Sequence, residues 1–160
     1  MRKAAIVFFA VTLAGALQSQ MADRIGVFGA NPDFLIAVTM AMALLLDPVM
    51  GGLFGLAAGL VHASIVGFSF GGFLISRTLL GYITASLRSW VFQENPFVLL
   101  AAALLGTIFC EGVYFLIDPS GNPVSLISQL PMQSVYNALI AMACYALIKR
   151  AMREERPQAA

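Results

Sequence analysis

The chain has 160 residues, of which 60% are hydrophobic and only 11% are charged. A soluble domain has roughly 45–50% apolar and about 25% charged residues, so this composition excludes a soluble protein and predicts an integral membrane protein. The formal net charge of +1 does not discriminate between partners, because the placement of charges matters more than their sum in membrane proteins.

The first predicted element is an apolar run from Ala4 to about Met21, after a basic start at Arg2 and Lys3. A basic start before an apolar core is also the pattern of a secretory signal peptide. This run is long for a signal core, and residues 18–20 (QSQ) make a poor cleavage site, which requires small residues. The sequence therefore favours a retained first span.

Five further apolar stretches follow, and turn-forming or helix-capping residues bound them. At the start of the second predicted span, Asn31 is a good N-cap, Pro32 suits the first helical position, and Asp33 complements the positive end of the helix dipole. The same Asn-Pro pair recurs at residues 95–96, after Glu94 and before the fifth span. The predicted spans are about 4–21, 33–46, 49–67, 73–90, 97–117 and 128–148, with a tail at 149–160. We therefore predict one all-α membrane domain, residues 1–160, with six transmembrane helices.

The basic residues predict the orientation of these spans. With the N-terminus in the cytoplasm, seven basic residues lie on the cytoplasmic side: Arg2, Lys3, Arg88, Lys149, Arg150, Arg153 and Arg156. Only Arg24 lies on the opposite side, and an excess of Lys and Arg marks the cytoplasmic side. Both termini are then cytoplasmic, Trp90 marks the interface after span four, and the basic tail is predicted to contact anionic lipid headgroups or a cytoplasmic partner.

The third span carries a stripe of small residues at intervals of four, which places them along one face of a helix. They are Gly51, Gly55, Gly59, Ala63 and Gly67. In lipid, such a stripe allows the backbone of another helix to approach closely. We interpret this span as the central packing helix, and its stripe as a surface for another helix of the bundle or for a partner helix.

Three ionisable residues lie inside the predicted spans, and with one amide they form a candidate intramembrane polar site. At about 1.5 Å per residue, His62, Arg77 and Glu111 all fall in the outer leaflet, with Asn137 nearer the middle. Because a charge at the centre of a membrane helix costs at least about 2.5–3.5 kcal/mol, we predict an Arg77–Glu111 ion pair. The sequence leaves two interpretations of this set open. It is a polar pocket that holds a ligand or a segment of a partner, or it is a buried pair that fixes the register of the helices. No second His accompanies His62, so we predict a hydrogen-bonded packing residue rather than a metal ligand.

The sequence contains no recognisable catalytic motif. It has no phosphate-binding glycine loop with a Lys, no nucleophile elbow and no paired-carboxylate motif. Cys110 and Cys144 fall in apolar segments and are predicted to be small core residues. We therefore predict a non-enzymatic protein without a cofactor or a metal. Its short basic tail beside a membrane span argues against binding to nucleic acid.

Three segments carry a resemblance to a known family. They are PDFL at 32–35, GGLFGLAAGLVHASIVGFSFGGFLISRTLLGYITASLR at 51–88 and FQENP at 92–96. With these segments, the six-helix hydropathy and Glu111 after an apolar run, the chain from Asn31 to about Ile117 resembles the MreD family, the rod-shape-determining membrane proteins of bacteria. Family members often carry an acidic residue near the position of His62, so a role of that acidic residue does not transfer to this chain.

The resemblance implies a non-enzymatic scaffold of the cell-elongation machinery in the bacterial inner membrane. MreD-like proteins work with MreC, a single-pass protein with a periplasmic coiled coil, and with the MreB filament. They also work with a RodA-type synthase and its penicillin-binding partner. We expect this chain to bind an MreC-like protein and to help organise peptidoglycan synthesis.

An alternative function follows from the fold of the family, which is similar to the S-components of energy-coupling-factor vitamin transporters. On this alternative the chain is a substrate-capture subunit, although its short outer loops offer few binding residues. A proton-coupled transporter that uses Glu111 and His62 is a third interpretation.

Overall fold

The computed structural model describes residues 2–22, 24–26, 29–89, 96–119 and 123–153. Over these residues the chain forms six α-helices and a short 3-10 turn at Leu87–Ser89. The helices are α1 (Arg2–Met21), α2 (Phe34–Ala43), α3 (Pro48–Val66), α4 (Phe70–Ser86), α5 (Pro96–Ile117) and α6 (Pro123–Arg153). The prediction of an all-α fold with six helices is confirmed.

The helices differ in length more than the sequence predicted. Within the part of the chain that the structure describes, four segments are long and apolar enough to cross a membrane: Ala4–Met21, Pro48–Val66, Phe97–Ile117 and Ile127–Met152. Helix α2 has 10 residues and is therefore about 15 Å long, roughly half of a typical hydrocarbon core. It is shorter than the predicted span at 33–46 because the chain turns after Ala43: the N–H groups of Leu45 and Leu46 donate to carbonyl oxygens three residues back, and Asp47 then caps α3.

Helix α2 is the centre of the bundle. All ten of its residues are buried, and it packs against each of the other five helices. Its residues contribute to all three hydrophobic clusters of the described core. A helix that is apolar on every face is typical of such a buried position. The interpretation of α3 as the central helix is therefore wrong, because α3 has an outer face with exposed Leu53 and Leu60.

The inner face of α3 packs closely against α4. A Cβ atom added at Gly51 would lie 2.7 Å from the carbonyl oxygen of Gly81, and one at Gly59 would lie 2.6 Å from that of Phe73. A Cβ atom at Gly55 would overlap the carbonyl group of Arg77. These three glycines thus let two backbones meet, and α4 occupies the surface that a partner helix would need.

The last two members of the stripe have different surroundings. Ala63 is fully buried, whereas Gly67 adopts a left-handed conformation with φ 82° and ends α3. Its N–H donates to the carbonyl oxygen of Ala63 at 2.8 Å. Gly67 is therefore a helix C-cap, a position that favours glycine because left-handed backbone strains other residues.

Several predicted features lie outside the described residues. They are the interfacial residue Trp90, the cap at Glu94 and Asn95, residues 120–122 between the fifth and sixth predicted spans, and Arg156 in the tail. Arg88, one of the predicted cytoplasmic basic residues, is described, and its guanidinium donates to the carbonyl oxygen of Leu46 at 2.8 Å. This contact joins the end of α4 to the turn between α2 and α3.

Candidate functional site

A buried ion pair joins the start of α2 to the middle of α4. Nη2 of Arg77 donates to Oδ2 of Asp33 at 2.6 Å. Arg77 is 1% exposed and Asp33 is 3% exposed, so water cannot stabilise either charge alone. Removing one partner of such a pair typically costs about 3–5 kcal/mol, because the other charge stays buried and unpaired.

His62 of α3 completes this charged cluster, which we define as Asp33, His62 and Arg77. Its Nδ1 lies 3.0 Å from Nη2 of Arg77 and 3.4 Å from Oδ2 of Asp33. Because the guanidinium can only donate, the shorter contact assigns Nδ1 as an acceptor and the imidazole as neutral, with its proton on Nε2. His62 is thus a hydrogen-bond acceptor in the cluster.

Phe73 of α4 forms an aromatic wall beside the cluster. Its ring stacks on the His62 imidazole at a centroid distance of 4.3 Å, and the Arg77 guanidinium lies 4.6 Å from its centroid. A cation over an aromatic face is attracted by the ring quadrupole. Phe73 therefore fixes the orientation of both groups. Among the described residues, no group of three or more His, Cys, Asp or Glu is placed to hold a metal ion.

The buried start of α2 has backbone donors satisfied by side chains from two other helices and by its own cap. The N–H of Asp33 donates to Oδ1 of Asn137 in α6, and that of Phe34 donates to Oε1 of Gln18 in α1, both at 2.8 Å. The N–H of Ile36 donates to Oδ1 of Asp33 at 2.8 Å. Since the first N–H groups of a helix have no partner inside it, these contacts allow α2 to begin inside the bundle.

The structure corrects two predictions about this region. Asp33, rather than Asn31, is the N-cap of α2, because its extended backbone and its bond to Asn137 place the carboxylate over the helix end. The predicted Arg77–Glu111 pair is wrong, because Arg77 pairs with Asp33. Glu111 lies nearby and makes no ion pair or hydrogen bond with any residue that the structure describes.

The sequence does contain evidence for Asp33, the partner of Arg77 that our sequence analysis did not identify. Asp33 is an acidic residue directly before a fully apolar stretch, and a carboxylate there can both cap a helix and balance a charge. Its two oxygens do both, since Oδ1 caps α2 and Oδ2 binds Arg77. The structure thus brings His62, Arg77 and Asn137 together around Asp33, with Glu111 beside them.

A pocket opens beside the charged cluster. It has a volume of about 210 Å³, and besides the cluster it is lined by Gln18, Asn31, Pro32, Phe73, Glu111, Tyr114 and Gln133. Together with the cluster, these residues come from α1, α3, α4, α5 and α6 and from the segment before α2. A larger cavity of about 410 Å³ between α4 and α5 is lined almost entirely by apolar side chains, so the polar chemistry of the bundle is concentrated in the smaller pocket.

We expect Asn137→Ala to destabilise the bundle by about 1–3 kcal/mol, because the buried N–H of Asp33 loses its acceptor. The thermal unfolding midpoint of the purified protein in detergent measures this loss. Gln133→Ala is the matched control, because Gln133 precedes Asn137 by one turn of α6 and its side chain makes no hydrogen bond with a described residue. Equal midpoints for the two variants would show that the Asn137 contact does not stabilise the fold.

The geometry defines a class of protein. A helical bundle with four membrane-length helices, and with its charges paired inside, is a polytopic membrane protein. The chain belongs to the MreD family: the family model described as rod shape-determining protein MreD matches residues 2–154. The resemblance predicted from the sequence is thereby confirmed, and membership supports a role in rod shape determination. Comparison with curated proteins and with solved structures found no match, so the similarity to S-components stays a prediction.

Proposed function

We propose that this chain is a non-enzymatic scaffold of the cell-elongation machinery in the bacterial inner membrane. It binds an MreC-like single-pass protein and helps to organise peptidoglycan synthesis, together with an MreB filament and a RodA-type synthase with its penicillin-binding partner. The observation that carries this proposal is the family match, which extends over residues 2–154.

The internal structure supports a scaffold. The charged cluster and Asn137 connect α2, α3, α4 and α6 through contacts of 2.6–3.0 Å. These groups hold helices in register, which is a structural task. The outer faces of α1, α5 and α6 expose large apolar side chains, including Phe8, Leu105 and Leu147, and such faces suit contact with lipid or with another membrane helix.

The proposed orientation places both termini in the cytoplasm. It rests on the excess of basic residues at Arg2, Lys3, Arg88 and the start of the tail. The charged cluster and its pocket then lie toward the outer side of the membrane. A partner with an extracytoplasmic domain would meet this end of the bundle.

The pocket bears on one alternative function, the substrate-capture subunit of an importer. Its volume of about 210 Å³ is below the roughly 300–1,000 Å³ that is typical of small-molecule sites. Two of its charged groups, Asp33 and Arg77, are already paired with each other. The pocket is therefore better suited to a single side chain than to a vitamin-sized molecule.

Affinity purification of the tagged chain from native membranes, with mass spectrometry of proteins and small molecules, separates the two functions. The scaffold predicts recovery of an MreC-like single-pass protein and wall synthases at least tenfold above an equally expressed, identically tagged control membrane protein. Recovery of an ATPase pair with a stoichiometric small molecule would contradict the scaffold and establish the importer subunit.

A further inference from the structure

Glu111 of α5 is the unbalanced charge of the pocket. It is 9% exposed and lines the cavity beside the charged cluster, yet it has no hydrogen bond or ion pair within the part of the chain that the structure describes. Asp33 and Arg77 neutralise each other, and His62 is a neutral acceptor. With Glu111 ionised, the pocket therefore carries one net negative charge.

The ionised form of a buried carboxylate that has no ion pair is strongly disfavoured, and the group binds a proton unless a cation comes into contact with it. A cation that enters the pocket removes this cost and gains a charge-assisted hydrogen bond. Two other side chains that carry an oxygen acceptor, Tyr114 and Gln133, also line the cavity. Neither side chain forms a hydrogen bond with a described residue, so the pocket offers three side chains with free acceptors.

We propose that this pocket receives the ammonium group of one lysine side chain, presented by the protein that docks on this end of the bundle. This inference rests on the proposed function, since it names the chemistry of the partner. An ammonium has three N–H donors, one for each of the acceptor-bearing side chains Glu111, Tyr114 and Gln133. The apolar stem of a lysine packs on aromatic surface while its head reaches polar groups, and the rings of Phe73 and Tyr114 provide that surface.

The position of the pocket fits a side chain that enters from the end of the bundle. His62 lies one turn before the end of α3, Arg77 two turns after the start of α4, and Glu111 nearly two turns before the end of α5. At about 1.5 Å per residue, these groups lie roughly 6–10 Å below that end. An extended lysine side chain covers most of this depth.

The first test uses the purified full-length protein in phosphatidylcholine nanodiscs, with n-butylammonium as the probe for a lysine side chain and n-butanol as the neutral probe. Butylammonium should raise the thermal unfolding midpoint of the wild type by a few degrees relative to butanol, since a ligand that binds only the folded state stabilises it. Glu111→Gln should abolish the difference. Asp47→Asn, an exposed carboxylate changed in the same way at the other end of the bundle, should retain it. Equal midpoints with both probes in the wild type would overturn the proposal.

The second test uses native membranes that contain the tagged chain and its partners. A carbodiimide joins a carboxylate to a touching primary amine as an amide, with loss of water to the reagent, and mass spectrometry identifies the joined residues. We expect an amide between Glu111 and a lysine of a co-purifying protein, absent in Glu111→Gln. An adduct of Glu111 with phosphatidylethanolamine, or no adduct in a complex that still forms, would overturn the proposal.

The two tests separate this inference from the proposed function. If the wild-type chain captures no shape-determining partner, the proposed function is wrong, and so is the proposal that such a partner supplies the lysine. If the partner co-purifies equally with the wild type and Glu111→Gln and no amide forms, the scaffold stands and only the lysine pocket is wrong.

Discussion

Gly55→Leu should yield no folded protein, and Gly55→Ala should lower the thermal unfolding midpoint by on the order of 5–10 °C. A Cβ atom at Gly55 would overlap the carbonyl group of Arg77 and lie 3.1 Å from Cα of Thr78. Both are backbone atoms in the middle of α4, so α3 and α4 must separate to admit even a methyl group. That separation would also move Arg77 relative to Asp33.

Matched alanine substitutions isolate this close approach from helix propensity. A Cβ atom at Gly112 would meet nothing within 4 Å, and one at Gly52 would lie at an ordinary 3.5 Å from Cβ of Tyr82. We expect Gly112→Ala to keep or raise the midpoint, since alanine favours a helix over glycine by about 1 kcal/mol. Gly52→Ala should change it little. If Gly55→Ala unfolds at the same temperature as Gly112→Ala, the close contact between α3 and α4 is wrong.

Asp33→Asn should destabilise the protein by about 3–5 kcal/mol, because Arg77 stays buried without its counter-ion. Asparagine is as good an N-cap as aspartate, so this substitution removes the charge and keeps the cap of α2. Asp33→Ala removes the cap as well and should cost about 0.5–2 kcal/mol more. The thermal midpoints of reversible unfolding rank the stability of the wild type, Asp33→Asn and Asp33→Ala.

A double variant tests whether the cost comes from the unpaired charge. Asp33→Asn with Arg77→Met removes both charges and should recover a large part of the loss, because an apolar side chain of similar length fills the site. Asp47→Asn is the control, since Asp47 also caps a helix, through a 3.0 Å bond from the N–H of Met50, but is exposed. A double variant less stable than Asp33→Asn alone would contradict the ion pair as the origin of the cost.

The sequence was sufficient for the number of helices and for most of their ends. Apolar runs give six helices, and Asp47 and Gly67 end or start helices through local capping chemistry that neighbouring residues specify. The burial of α2 was harder to predict, because an apolar run that faces lipid and one that faces other helices have the same composition. The length of α2 decides between them, and the turn that ends α2 after Ala43 lies inside an apolar run that shows no boundary there.

The partner of Arg77 could not be found by matching depths. Asp33 and Arg77 are 44 residues apart, and the predicted spans placed Asp33 at the first residue of span two and Glu111 inside span five. Because α2 is short and central, its first residue lies within the bundle, so Asp33 reaches Arg77. Similarly, the spacing of the glycines identified a packing face, but a period of four does not specify which helix lies against it.

The most direct test of the scaffold is cell shape after depletion of this chain in the bacterium that encodes it. The ratio of cell length to width should fall toward one as rods become round, and a plasmid copy of the wild type or of Asp47→Asn should restore rods. Asp33→Asn should restore them poorly, in proportion to its loss of folded protein in the membrane. Cells that keep their normal length-to-width ratio after the chain has disappeared from the membrane would contradict a role in shape determination.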